Sequence, residues 1–331
     1  MSIRYVFLLA ALLAFQVSAQ TPSSFDKSSG GSGQGFPNKS LRLVTGYPPG
    51  GSADFLSRIA ADELTKELGV PVIVDNKPGA GGNIAAELVA RATADGYTIL
   101  NATDLAVNTA LYKNPGYKEK DFTGVIRIAR GPTVIVVGRD APFKTLKDVI
   151  DFAKANPGKL FNASAGYGSS PHLASVLFES VAGVKFTSVQ YKGGAPATQS
   201  LLAGETQINF ATAPTVMGFV RAGRVRALAV STRQASPAVP GVPGSEEAGL
   251  PGYNFAFSFG LYVPVATPRD TVRRLHAASL KVLSKPEVRE RIALQGMDAA
   301  PSASPDAFNK EVRAEVPYWE KLVRESGAKV E

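Results

Sequence analysis

The sequence predicts an α/β fold with two lobes built around parallel strands. Short β-branched runs alternate with segments of helical periodicity, a pattern typical of βαβ units. The alternation occurs as two successive series along the chain. The chain has 331 residues, of which 44% are hydrophobic, and this is enough for two modest hydrophobic cores.

The N-terminal residues predict export. Arg4 precedes an apolar run from Tyr5 to Phe15, and Val17-Ser18-Ala19 supplies the small residues of a cleavage site. The alternative is a membrane anchor, but the run is shorter than the ~20 residues that span a bilayer. We expect a signal peptide over residues 1–19, cleaved near Ala19, and a periplasmic protein. Residues 20–38 are rich in Ser and Gly and are predicted to be a disordered leader. The chain has no Cys, which excludes disulfides and a lipid anchor on cysteine.

The first series of elements follows this leader. Its predicted strands cover residues 41–44, 72–74 and 97–100, and a Gly-rich loop at 46–51 follows the first strand. Apolar residues at helical spacing occupy the intervals between strands. They are Phe55, Leu56, Ile59, Ala60 and Leu64 in the first helix and Ile84, Ala85, Leu88 and Val89 in the second.

The second series begins with a predicted buried strand at Thr133–Val137. A helix over 146–153, a strand at 160–163 and a Gly/Ser-rich loop at 164–170 follow. Ser170 is the predicted cap of the next helix and Pro171 its first residue. Later predicted strands cover 208–210, 227–230 and 255–263, and helices close the chain.

Two loops share a pattern that favours anion binding. In each, at Tyr47–Asp54 and at Ala165–His172, a strand ends, a Gly-rich turn follows and a helix begins. The first N–H groups of a helix have no partner within it, and with the helix dipole they attract carboxylate or phosphate. Hydroxyls such as those of Ser52, Ser169 and Ser170 can add donors. The alternative is that both loops are ordinary tight turns.

Several side chains near these loops allow two interpretations. Asp54 fits a helix acid that stabilises the dipole better than a general base. His172 is either a donor to an anion or a packed residue of the first helical turn. Thr103 and Asp104 follow a strand, as does the segment Tyr191–Ala195, and ligands of α/β sheets lie beyond such strand ends. The alternative for these is a surface loop, and for Asp104 a helix cap.

The sequence argues against catalysis, a cofactor or a metal. Residues 79–84 have Ile84 where a dinucleotide fingerprint needs its third Gly, and 162–166 lack the first Gly of a nucleophile elbow. The sequence also lacks a Walker A run and His/Cys metal spacing. The formal charge of +8 favours anionic partners, although a generally basic surface is the simpler explanation. Lys and Arg are dispersed, so nucleic acid is not an expected partner.

Several ordered motifs resemble one known family. From Leu41 to the C-terminus the chain resembles the substrate-binding receptors of tripartite tricarboxylate transporters, also called the Bug family of periplasmic binding proteins. The resemblance rests on 47-YPPGG-51, 74-VDNKPGAGGNI-84, 95-DGYT-98, 168-GSSPHL-173, 191-YKGG-194 and 247-EAGLPGY-253.

The resemblance implies a type II periplasmic-binding-protein fold, in which two lobes joined by two crossing strands close over an organic anion. Lobe 1 would comprise residues 39–135 and 260–331, lobe 2 would comprise 136–259, and the crossings would lie near Thr133–Gly138 and Phe257–Val263. Tyr167 is bulkier than is usual in its loop, so it could reshape the pocket or stack on an aromatic ligand. Together with the residue patterns, the resemblance gives a predicted ligand-binding set of Tyr47, Gly50, Gly51, Ser52, Asp54, Thr103, Asp104, Ala165, Gly166, Tyr167, Gly168, Ser169, Ser170, His172, Tyr191 and Gly193.

The expected function is a solute receptor without catalytic residues. It would capture a small carboxylate, such as an amino dicarboxylate, a tricarboxylic-cycle acid or an aromatic acid, and act as a monomer. The closed lobes would be recognised by membrane subunits of a transporter or by a sensor kinase. The alternatives are an enzyme acting on an anionic substrate and a sensory adaptor that binds no ligand.

Overall fold

The computed structural model describes residues 35–103 and 105–326. The predicted signal peptide, most of the leader and Asp104 lie outside these residues. The strands are β1 (Leu41–Thr45), β2 (Val72–Asn76), β3 (Thr98–Ala102), β4 (Phe122–Gly131), β5 (Thr133–Gly138), β6 (Phe161–Ser164), β7 (Thr187–Gln190), β8 (Ile208–Thr212), β9 (Val225–Val230), β10 (Phe257–Pro264) and β11 (Asp298–Ala299). The α-helices are α1 (Ser52–Leu68), α2 (Asn83–Ala90), α3 (Leu105–Leu111), α4 (Leu146–Ala155), α5 (Ser170–Ala182), α6 (Gly194–Ala203), α7 (Ala213–Arg221), α8 (Arg269–Ser284), α9 (Pro286–Ala293) and α10 (Pro305–Ser326).

The strands form two sheets, as the predicted fold class requires. The first has the order β11-β4-β10-β3-β1-β2 and the second the order β7-β6-β8-β5-β9. β1 pairs in parallel with β2 and β3, and β6 pairs in parallel with β7 and β8. Both sheets are mixed, however, because β10 runs antiparallel to β3 and β4, and β5 antiparallel to β8 and β9. The predicted parallel strands are thus present in both sheets, and the strands that connect the sheets pair antiparallel with them.

The chain passes between the sheets twice. It leaves the first at Pro132, between β4 and β5, and returns between β9 and β10. Ser231 ties these connections together: its N–H donates to the Thr133 carbonyl (2.9 Å), its Oγ accepts from the Thr133 N–H (2.8 Å), and its hydroxyl donates to the Phe255 carbonyl (2.8 Å). The predicted lobe limits are 135/136 and 259/260. If each strand is assigned to the lobe of its sheet, the limits fall at Pro132 and just before Phe257. The limits themselves remain a prediction.

The last part of the predicted leader is ordered on the first sheet. Phe36 packs edge-on against Tyr97, with ring centroids 4.9 Å apart. The Asn38 N–H donates to Tyr97 Oη (3.0 Å), and this hydroxyl donates to Asn38 Oδ1 (2.9 Å). Phe36 and Asn38 thus contact Tyr97, and the leader limits of residues 20–38 remain a prediction.

Apolar helix faces hold the strand ends in place. On α1 the predicted stripe is buried at Leu56, Ile59 and Leu64, each at most 2% exposed. Burying one such side chain stabilises the fold by about 1.5–3 kcal/mol. The helices thus fix the carboxyl ends of β1, β3, β6, β7 and β8, which lead into the loops described next. In the part of the chain that the structure describes, no helix is long and apolar enough to cross a membrane.

Candidate ligand-binding site

Loops from both sheets surround one cavity. Counted with its open mouth, it encloses about 500 Å³ of empty space. Eight residues of the predicted set line it: Tyr47, Gly51, Ser52, Thr103, Ala165, Ser169, Ser170 and Gly193. The other lining residues are Pro48, Pro49, Ala53, Pro171, Lys192, Gly194, Ala195, Pro196, Thr212, Thr215 and Phe259.

The first turn of α1 lies against the cavity. Gly51 is the N-cap, with extended backbone (φ −94°, ψ 173°), and its carbonyl accepts the first helical hydrogen bond from Phe55 (3.0 Å). No described side chain caps this end. The N–H groups of Ser52 and Ala53 are therefore donors in the cavity wall, at the positive end of the helix dipole.

Asp54 shapes this loop from behind and does not line the cavity. Its carboxylate accepts hydrogen bonds from the Gly50 N–H (3.1 Å), Arg58 Nε (3.0 Å) and Asn76 Nδ2 (3.0 Å). Burial alone would raise the pKa of Asp54, but bonds from Arg58, Asn76 and Gly50 outweigh it and hold the pKa below its ordinary 3.8. Gly50 has φ +89°, and its N–H is directed at the Asp54 carboxylate. Gly50 and Asp54 therefore hold the loop in position, and ligand contact through them remains a prediction.

The first turn of α5 faces the cavity from the second sheet. Ser169, and not Ser170 as predicted, is its N-cap: its Oγ accepts from the His172 N–H (3.4 Å) and donates to the Gly166 carbonyl (2.6 Å). Pro171 has no N–H and is tolerated at either of the first two helical positions. A cap at Ser169 is therefore as compatible with this proline as the predicted cap at Ser170. Gly166 itself does not line the cavity.

The other predicted residues of this loop also lie behind the wall. His172 Nδ1 accepts from the Gly168 N–H (3.3 Å), and the Tyr167 ring packs edge-on against the imidazole at 5.3 Å. Burial lowers the pKa of His172 to about 4, so the ring is neutral at physiological pH. Tyr167 is 43% exposed. Tyr167, Gly168 and His172 are absent from the described cavity wall. Ligand contact through them remains a prediction.

Two further helix starts, those of α6 and α7, complete the wall. Gly193 is the N-cap of α6 and Thr212 that of α7, and neither end has a cap bond from a side chain within the described residues. Gly193 was predicted, and Thr212 was missed. The sequence signal for α7 is a strand followed by Ala213-Pro214, which repeats the placement of Pro171 but contains no Gly. Tyr191 does not line the cavity, and its Oη donates to Ser200 Oγ (2.5 Å).

Helices and loops attached to the two sheets are in direct contact around the cavity. Ser52 Oγ donates to Thr212 Oγ1 (2.7 Å), and Tyr112 Oη donates to the Tyr167 carbonyl (2.9 Å). Burial, together with Tyr167, raises the pKa of Tyr112 to about 12, so this phenol keeps its proton. Among the described lining residues, Lys192 carries the one formal charge. The wall therefore combines oriented N–H groups with a single cation.

Two sheets linked by two connections, with a cavity enclosed by helix N-termini from both, define a two-lobed α/β solute-binding protein. Residues 56–328 match the family described as "Tripartite tricarboxylate transporter family receptor". The chain belongs to this family of solute-binding receptors, also called the Bug family, whose members are periplasmic binding proteins and not enzymes.

Three similar proteins illustrate the relationship. Protein BugT of Bordetella pertussis is 32% identical over 98% of this chain and 96% of its own length. Rpa4515 of R. palustris, solved with adipate, is 34% identical, with a TM-score of 0.84 over 88% of this chain and 98% of that chain. MatC from Rhodopseudomonas palustris, solved with bound malate, is 30% identical, with a TM-score of 0.81 over 87% of this chain and 100% of that chain.

Proposed function

We propose that this chain is an exported periplasmic receptor that captures a small organic carboxylate by closing its two lobes. The observation that carries the proposal is the meeting of four helix starts, those of α1, α5, α6 and α7, at one cavity between the sheets. An anion near one helix start gains about 0.3–1 kcal/mol, and more where the site is partly buried. Several such starts together favour a carboxylate.

The charge of the chain and its relatives support this proposal. The formal net charge is +8, or +7 once residues 1–19 with Arg4 are removed, so an anionic ligand is attracted before it reaches the cavity. Rpa4515 was solved with adipate and MatC with malate, both carboxylates.

The finer parts of the proposal concern location and partners. We propose that residues 1–19 are removed on export, and that Tyr47, Gly51, Ser52, Thr103, Ala165, Ser169, Ser170 and Gly193 contact the ligand. The closed receptor would then be recognised by membrane subunits of a tripartite tricarboxylate transporter, or by a sensor kinase.

Thermal unfolding against a panel of carboxylates tests the binding function. A ligand at about a hundred times its Kd adds ~2.7 kcal/mol to the stability of the folded state, which corresponds to several degrees in Tm. Copurified ligand is first removed by unfolding and refolding. If no mono-, di- or aromatic carboxylate raises Tm, the proposal is wrong and an adaptor without a ligand is the better interpretation.

A pair of variants at Ser52 tests the role of the helix amides. Ser52→Pro removes the N–H but suits the first helical position, and the extended backbone of Gly51 tolerates a following proline. Ser52→Ala keeps the N–H and removes only the hydroxyl. We expect Ser52→Pro to weaken carboxylate binding by about tenfold more than Ser52→Ala, measured by calorimetry. Equal losses would show that the hydroxyl, and not the amide, holds the ligand.

A further inference from the structure

A second groove opens at the edge of the first sheet opposite the ligand cavity. Phe259, near the start of β10, lines the cavity, whereas Val265, just past the end of the same strand, lines the groove. Extended strand rises about 3.3 Å per residue, so the two positions are about 20 Å apart. The N-terminal halves of α8 and α10 form the two walls. A partner in this groove therefore leaves the ligand cavity free.

The groove carries an excess of positive charge. Its described lining residues include four cations, which are Arg269 and Arg273 of α8 and Lys310 and Arg313 of α10. They also include one carboxylate, that of Asp306. All five side chains belong to exposed residues. Arg273 pairs with Asp270 at 3.0 Å, and within residues 35–103 and 105–326 the other three cations have no carboxylate partner.

The stability of α8 does not account for this charge. Arg269 is the first residue of the helix, and a cation there is opposed by the positive end of the helix dipole. Arg269 and Arg273 are four residues apart, a spacing at which like charges lower the stability of a helix. Near the other end of the same helix, Lys281 is instead matched by Glu67 at 2.8 Å.

The charges of α10 are divided between two faces. Its Glu311 and Glu315 turn toward β4, where they pair with Arg127 and, at 3.8 Å, with Arg130. The cations of this helix that line the groove are left on the other face. These two acids are thus committed to β4, and the groove presents a positive field to a negatively charged partner.

We propose that the groove is a docking surface for an acidic segment of a protein partner. The inference goes beyond the proposed function, because it concerns a second surface and a second kind of ligand. Counted with its open mouth, the groove encloses about 1460 Å³ of empty space, against about 500 Å³ for the ligand cavity counted in the same way. Cations on both walls match carboxylates along a chain segment, and such complementarity speeds encounter and sets register. Val265, 55% exposed, adds an apolar contact. A concave surface with cations on facing walls suits a narrow segment better than a flat membrane.

Fluorescence anisotropy with a labelled peptide tests the proposal on the full mature chain. The probe is a peptide of about ten residues, most of them Glu, which spans about 33 Å when extended. Its control is the same peptide with Gln in place of every Glu. We expect only the Glu peptide to bind, and its Kd to rise at least about threefold between ~50 and ~200 mM salt, because exposed charges are screened. If the Glu peptide does not bind at up to about 1 mM, the proposal is overturned.

A pair of double variants shows where the peptide binds. Arg269→Gln with Lys310→Gln removes one charge from each wall, and Lys159→Gln with Arg289→Gln removes two exposed charges outside the groove. We expect the groove variant to bind the Glu peptide about tenfold more weakly and the control to stay within about twofold of the wild type. Equal losses in the two variants would overturn the proposal, because the basic surface as a whole would then bind the peptide.

Two further measurements separate this proposal from its neighbours. Vesicles that contain phosphatidylglycerol replace the peptide as a second probe. If the vesicles bind in a way that depends on the groove and the peptide does not, the occupant is a membrane surface and the proposal is wrong. The groove variant should keep its affinity for carboxylates within about twofold, since the cavity lies about 20 Å away. Loss of carboxylate binding in the wild type would therefore count against the proposed function alone.

Discussion

Gly81 lies where the two lobes touch, and replacing it with Ala should prevent their closure. Gly81 has φ +63°, and a Cβ there would lie 2.2 Å from the Tyr167 carbonyl oxygen and 3.0 Å from Tyr112 Oη. Ordinary contacts of a Cβ are at 3.4–4 Å, so the two loops would have to separate by at least about 1.2 Å. Because the Tyr167 contact is with backbone, no rotation of a side chain relieves it.

The loss in affinity can be worked out from this contact. Overpacking of this kind costs about 1–3 kcal/mol, and separating the loops also breaks the Tyr112 bond to the Tyr167 carbonyl, worth about 0.5–1.5 kcal/mol. The apparent Kd rises as the population of the binding-competent form falls. At about 2 kcal/mol the receptor should bind its carboxylate roughly thirtyfold more weakly.

A matched control separates this clash from backbone strain. Gly69, at the end of α1, has φ +72°, and no atom lies within 4 Å of the position its Cβ would take. Gly69→Ala therefore introduces the same left-handed backbone strain, about 1–2 kcal/mol, without a contact with the other lobe. We expect calorimetry to show a large loss of affinity for Gly81→Ala and none for Gly69→Ala, although both lower Tm. Equal affinities for the two variants would refute the reasoning, because the contact would then be absent from the bound state.

Three further predictions concern single side chains. The pKa of His172, lowered from 6.5 to about 4, means that the unfolded chain binds a proton that the folded chain excludes. Stability should therefore hold above pH 6.5 and fall by roughly 3 kcal/mol as the pH drops from 6.5 to about 4, and His172→Gln should flatten this fall in thermal unfolding. Asp54→Asn should lower Tm at neutral pH, and its difference from the wild type should shrink as the pH falls below 3.8, since the folded-state pKa of Asp54 lies below that value; a difference that persists at low pH would contradict the role of the carboxylate. Tyr112→Phe should weaken carboxylate binding about two- to tenfold in calorimetry, and an unchanged Kd would exclude its bond to Tyr167 from the closed form.

The sequence was sufficient for the elements and for part of the site. The alternation of β-branched runs with helical periodicity predicted the two sheets, and the Gly-rich turns predicted that the starts of α1 and α5 face one cavity. The sheets were predicted correctly because strand ends and helix caps are encoded locally, and both helix starts border one cavity in the structure. The start of α7 was missed for the same reason, since Thr212 follows its strand without a Gly turn.

Roles that depend on distant contacts could not be predicted. The Asp54 carboxylate accepts hydrogen bonds from Asn76 and Gly50 and so supports the loop, a role that the local sequence does not encode. The sequence left open whether His172 is packed or donates to an anion, and its contact with Tyr167 and its burial, which keeps it neutral, come from distant parts of the fold. The mixed sheets follow from the direction in which β5 and β10 cross, a property of the whole topology.

The single residue between β4 and β5 limits how the molecule can open. Pro132 has a fixed φ and no N–H to exchange, so this connection has few soft torsions. The other connection, between β9 and β10, is longer. Ser231 at its start is hydrogen-bonded to Thr133 in β5 and to Phe255 near its end, which restricts its motion. We expect the two lobes to rotate as rigid bodies about these connections and not to slide past one another. Each closure would then bring the same loops together.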